Sequence, residues 1–137
     1  MSSRRFGREQ ALQALFAIEV GSREPAEMIE EILAPSADAE QRGFVRDLVL
    51  GTLEYAGESD ATVAPLLEDW TLERLPKIDR LLLQMAVFEL RHRTTPSAVV
   101  INEAVELAKR FSTEDSGRFV NGVLSNVARR LAERAAS

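Results

Sequence analysis

Apolar residues recur every three or four positions along most of this chain, the spacing of one face of an α-helix. Residues 4–20 predict a first helix, with Leu12, Leu15 and Phe16 along its stripe and Ser3 placed to cap it. Gly21, Ser22 and Arg23 break the pattern. Pro25 opens a short second helix that buries Met28, Ile29, Ile32 and Leu33 and stops at Pro35. A third helix spans Asp38 to Tyr55, with Phe44, Val45, Leu48 and Val49 facing inward and Gly57 and Ser59 marking the next break. Residues 59–70 predict a fourth, although Pro65 must either begin its regular part or kink it. Trp70 falls on its apolar side and reads as a core or joint residue rather than a stacking platform.

The fifth helix runs from about Lys77 to Arg91. Its apolar positions, from Ile78 to Leu90, cover so much of its circumference that burial on more than one side is expected. The stretch from Pro96 to Ala128 reads as two further helices. Val100, Ile101, Ala104, Val105, Ala108 and Phe111 line the first, and Phe119, Val120, Val123, Leu124 and Val127 line the second. Ser112 to Ser116 form a polar break rich in capping oxygens. Gly122 interrupts the last stripe, a cost that close packing or contact would explain. The expected fold class is all-α, about seven helices. Its 137 residues suit one domain, divided into helical subdomains at about 1–70 and 71–137.

Charge refines this picture. The net charge of −5 argues against an indiscriminate nucleic-acid binder. Its distribution is uneven. Residues 1–20 carry three arginines against two acids, and residues 108–137 carry six bases against three acids, while residues 21–60 hold ten acids and three bases. If the two ends meet, they form a positive patch on an acidic protein. Arg4, Arg5 and Arg8 crowd the first turns of a helix, where the dipole disfavours cations by about 0.3–1 kcal/mol each. They are either solvated charges on a frayed end or a cationic arm for phosphates.

Covalent chemistry has little to work with. No cysteine is present, and the single histidine, His92, lies between two arginines at a helix end, so neither a thiolate nor a His-rich metal site is expected. No Gly-rich phosphate loop or nucleophile elbow occurs. No window approaches the ~18 apolar residues of a membrane span, and no apolar run follows the first five residues, so neither membrane insertion nor a signal peptide is expected. The cysteine-free composition suits a reducing cytoplasm. What the residues do offer is a set for RNA. Arg4, Arg5, Arg8, Lys109, Arg110 and Arg118 suit phosphates. Phe16 and Phe119 suit base stacking, and Gln13, Asn102, Asn121 and Asp115 suit exposed base edges. Individually, Phe119 also reads as core and Asp115 as a helix cap.

Three segments give these residues a context. INEAVELAKRF followed by EDSGRFVNGVL, the opening RRFGREQALQALF, and the middle segment IDRLLLQMAVFEL together resemble the NusB family of bacterial transcription antitermination factors. The resemblance implies two small antiparallel helical bundles, with the arginine-rich helix near the one that follows EDS. It implies binding of boxA RNA jointly with the ribosomal protein NusE, in a complex with other Nus factors and RNA polymerase that keeps transcription of rRNA operons processive. By matching positions, Arg4, Arg5, Arg8, Phe16, Asp115, Arg118 and Phe119 would face RNA, and Asp79 and Gln84 would face NusE. No cofactor, metal or membrane is implied. Gly7 departs from the family's usual Ala and is expected to weaken the first turn. Phe6 stands where a basic or polar residue is frequent. Two other readings fit the segments: a protein-binding helical module whose partner carries the RNA, and an accessory domain of an rRNA-modifying system. Some members self-associate, and a homodimer could bury the RNA surface.

Overall fold

The computed structural model describes residues 3–136, Ser3 by its backbone alone, so the expected Ser3 cap lies outside the described side chains. Seven α-helices account for most of these residues, and no strand occurs among them. The chain divides into two compact units at Glu54 and Tyr55, short of the expected break near residue 70.

The first unit contains α1 (Ser3–Gly21), α2 (Pro25–Ile32) and α3 (Ala39–Glu54). Helix α1 packs on both of the others. Leu12, Leu15, Ile29, Leu33, Phe44, Val45 and Leu48 form its interior. Each such side chain contributes roughly 1.5–3 kcal/mol by leaving water. Two local features fix the connections. Ser22 adopts a left-handed φ of 50° after the last turn of α1, and the Arg23 amide donates to the Ile18 carbonyl at 3.3 Å. Pro25 then supplies the fixed φ that starts α2.

Gly7 has a different role from the one expected. A Cβ built there would lie 2.7 Å from Phe44 Cδ2 and 2.9 Å from Cε2. The missing side chain lets α1 close directly onto the Phe44 ring of α3.

The second unit contains α4 (Ala56–Val63), α5 (Lys77–His92), α6 (Ser97–Phe111) and α7 (Glu114–Ala136). Helix α5 packs on the other three and buries nine residues, among them Asp79 and Glu89. Polar links orient α4 against it. Ser59 Oγ donates to the Gln84 carbonyl at 3.4 Å, while Arg80 Nη2 and Gln84 Nε2 donate to the two oxygens of Asp60 at 3.0 and 2.9 Å. Tyr55, Phe88 and His92 stack beside them, with Tyr55 and His92 centroids 3.9 Å apart.

The fourth helix departs from its sequence pattern at both ends. It starts at Ala56, so Gly57 and the buried Ser59 lie inside it. It stops at Val63 and continues only as a 3₁₀ turn over Ala64–Leu66 that contains Pro65. Proline has no N–H for the helical ladder, and its ring collides with the carbonyl four residues earlier. A second 3₁₀ turn, Leu72–Arg74, precedes α5. Trp70 therefore lies in the segment between the two turns and is 53% exposed, which corrects its reading as a core residue.

Helices α6 and α7 form a hairpin. Gly117 permits their close approach, because a Cβ there would meet Lys109 Cγ at 2.9 Å. Gly122 does not act this way: nothing lies within 4 Å of its Cβ position, and it is exposed.

Candidate nucleic-acid interface

Each unit brings part of the expected site together. In the first, Phe44 organises the arginines of α1. The Arg4 guanidinium lies 4.2 Å from its ring centroid and that of Arg8 lies 5.4 Å away, distances at which a cation is attracted to the π-face. Arg4 also donates to Glu40 Oε1 at 3.2 Å, in a pair open to solvent. Arg5 is exposed. Arg8 is only 4% exposed, so its charge is spent inside the fold. Phe16 presents part of its ring, 38% exposed, one turn before Val20, which is also exposed. Phe6 is exposed and lines a cavity of about 300 Å³ with Arg4, Gln10 and Gln41.

In the second unit the first turn of α7 is wired by hydroxyl groups. The Ser116 amide donates to Thr113 Oγ1 at 2.9 Å, which makes Thr113 the cap. Ser116 Oγ donates to Asp79 Oδ2 of α5 at 2.8 Å, in a buried contact, and Thr113 Oγ1 donates to Ser116 Oγ at 3.0 Å. Asp79 is 4% exposed. Gln84, the other residue expected at a protein partner, is half-buried and engaged with Asp60.

This wiring sets the direction of the next residues. Asp115 and Arg118 are both well exposed and form an ion pair one turn apart. Phe119, half-buried, lines a cavity of about 250 Å³ with Trp70, Leu75, Pro76 and Asp79. Trp70 and Phe119 also line a second cavity, about 380 Å³, with Arg118, Gly122 and Asn126. Asp115, expected from its position to be a cap, leaves that role to Thr113. Trp70, Thr113 and Ser116 were not singled out as site residues from the sequence. The hydroxyl run 112–116 was a signal for the last two, and Pro65, by ending the helix, was the signal for Trp70.

The sequence profile of the NusB family matches residues 6–129. This chain belongs to the NusB family. A NusB relative, the transcription antitermination protein of Staphylococcus haemolyticus (strain JCSC1435), is 45% identical over 128 residues, covering 91% of this chain and 98% of the relative. Among solved structures, T. maritima NusB superposes with a TM-score of 0.86 at 36% identity, covering 94% of this chain and 92% of that one. A second similar structure holds the antitermination factors NusB and NusE in complex with double-stranded RNA. Its matched chain gives a TM-score of 0.85 at 25% identity, covering 95% of this chain and 98% of that one.

For a NusB-family chain, the residues present bear mainly on recognition. Among the described residues no group of three or more His, Asp or Glu side chains is placed to hold a metal ion. No described helix is long and apolar enough to cross a membrane. The exposed groups on the NusB-type α1 and α7 include arginines, aromatic rings and the Asp115 carboxylate, which suit phosphates, bases and base edges respectively.

Proposed function

We propose that the chain is an antitermination factor that binds boxA RNA together with NusE and supports processive transcription of rRNA operons in the cytoplasm. The observation that carries this reading is its likeness, over nearly the whole chain, to a NusB solved with NusE and RNA. Arg4, Arg5 and Arg118 supply phosphate contacts. Phe16 and Phe119 supply stacking surfaces, and Asp115 accepts from a base edge. A carboxylate repels phosphate unless a base donates to it, so Asp115 contributes selectivity more than affinity. Arg8, buried beside Phe44, supports the arm from within. The α5 face around Gln84 is assigned to NusE, and Asp79 contributes from beneath the surface.

The net charge of −5 leaves the RNA affinity of the chain alone weak, so a partner that adds a second RNA surface strengthens binding. Fluorescence anisotropy of labelled boxA RNA against a scrambled control, with and without NusE, at two salt concentrations, tests this. Preference for boxA, tightened by NusE and weakened by salt, is expected. Equal binding of both RNAs under all conditions would move the function to protein-only scaffolding.

A further inference from the structure

Helix α7 outruns the core of its unit. Val127 is its last buried residue, and the turns that follow carry Arg129, Arg130 and Arg134. Beside these turns a cleft of about 330 Å³ opens between α4 and α7. Ala61, Pro65, Val127 and Leu131 give it aliphatic walls, while Arg91 of α5 and Arg130 and Arg134 of α7 converge on it. Glu58 is the one acid among the described residues that line it, and its Oε1 is already engaged by Arg91 and His92. The cleft therefore carries a positive excess on a chain whose net charge is −5.

Helix stability accounts for only part of this arrangement. The helix dipole favours cations in a last turn, which explains Arg91 and Arg134 but not Arg130. Arg130 and Arg134 stand four residues apart on one face, where like charges oppose helix formation. The Nε of Arg130 donates to the neutral Asn126 Oδ1 at 3.4 Å.

We propose that this cleft docks an acidic amphipathic segment of a protein partner. An aliphatic side chain of the segment enters between α4 and α7, and its carboxylates meet Arg130 and Arg134 at the rim. Guanidinium groups match carboxylates in paired hydrogen bonds, and an apolar anchor flanked by charge is how a groove reads an amphipathic helix. The walls favour such a segment over RNA. No aromatic ring is among the described residues that line the cleft, so a base has nothing to stack on. Position favours it too. Arg130 lies fifteen residues from Asp115, about 22 Å along α7, toward the opposite end from the residues assigned to RNA. The site goes beyond the RNA and NusE readings and uses none of the residues named for them.

Fluorescence anisotropy of a labelled synthetic peptide, with the full-length chain as receptor, tests this. The peptide carries leucines at helical spacing on one face and glutamates on the other. One control replaces its leucines with serine, and a second replaces its glutamates with lysine. The parent peptide is expected to bind saturably, and both controls about tenfold more weakly or worse. The double variant Arg130→Gln, Arg134→Gln changes only exposed side chains. It is expected to bind the parent peptide roughly tenfold more weakly while keeping its circular dichroism and its binding of boxA and NusE. Equal binding of the serine control would reduce the cleft to a patch of charge and overturn the proposal, as would no saturable binding of the parent peptide. Displacement of the peptide by an RNA of scrambled sequence would give the arginines to nucleic acid. Displacement by NusE would merge the cleft with the face around Gln84. Either result overturns a separate docking site.

Discussion

Gly7 and Phe44 share a space that holds only one side chain: a Cβ on residue 7 would stand 2.7 Å from Phe44 Cδ2. The same ring carries Arg4 at 4.2 Å and Arg8 at 5.4 Å. Gly7→Ala therefore displaces Phe44 and disturbs both arginines. Overpacking costs about 1–3 kcal/mol, and the better helix propensity of alanine returns up to about 1 kcal/mol. A net loss of roughly 1 kcal/mol is expected in denaturant unfolding. Unchanged stability would show that the ring moves aside freely.

Arg5 and Arg8 separate by exposure. Each phosphate contact contributes a little under one unit to the slope of log affinity against log salt. Arg5→Ala is expected to lower that slope for boxA RNA by about one contact while leaving the melting temperature in place. Arg8→Ala is expected to do the reverse, because its guanidinium is buried. An equal change of slope in both variants would place Arg8 at the RNA.

Phe119 faces its cavity with a half-buried ring. Stacking a base on an aromatic ring contributes about 1–3 kcal/mol. Phe119→Ala is thus expected to weaken boxA binding roughly five- to hundredfold, with circular dichroism confirming that the helices persist. Binding equal to the parent's would remove Phe119 from the interface.

Glu58 links two neighbours on α5. Its Oε1 lies 2.8 Å from His92 Nε2 and 2.6 Å from Arg91 Nε. The hydrogen bond with His92, helped by Arg91, lowers its pKa below 4.5, against partial burial acting in the opposite sense. A carboxylate with a lowered folded-state pKa stabilises the fold above its unfolded value, and that stability is lost as pH falls through the folded one. Thermal unfolding from pH 6 downward should show a loss of stability setting in near pH 4.5, and Glu58→Gln should flatten this part of the curve. Identical curves would exclude the linkage.

Ser22 holds a left-handed φ of 50°, a conformation in which a Cβ is strained and glycine is not. Ser22→Gly keeps the Arg23-to-Ile18 bond that closes α1 and relieves the strain. A gain of roughly 0.5–1 kcal/mol is expected, read as a rise of a few degrees in melting temperature. A fall would show that the serine side chain contributes more than the strain costs.

The helices were legible because their stripes repeat at 3.6 residues and prolines and glycines punctuate them. Where the pattern failed, a local rule had been outweighed. The apolar run Val63, Leu66, Leu67, Trp70 continues a helical stripe on paper, but Pro65 ends the ladder and turns Trp70 out to solvent. Gly7 looked like a weak first turn because its neighbour is Phe44, thirty-seven residues away in sequence. Arg8 looks like Arg4 and Arg5 in a charge count, and only the packing of α1 distinguishes them. The RNA residues themselves were named through likeness to a family; composition alone offered solvated arginines and core phenylalanines as equally good accounts.

The bond from Ser116 to Asp79 also sets the rotational phase of α7. Interfaces of Val and Leu tolerate small slips of one helix along another, since one aliphatic contact replaces the next. A buried hydroxyl paired with a carboxylate does not, because any other register takes the Ser116 donor away from the buried Asp79 carboxylate. A slip of one residue would turn every side chain on α7 by about 100°. Phe119 would then leave its cavity and Arg118 would sweep toward the core. One short polar link, three residues before the ring it aims, thus keeps a smooth apolar helix from settling in a neighbouring, equally greasy and functionally blank alignment.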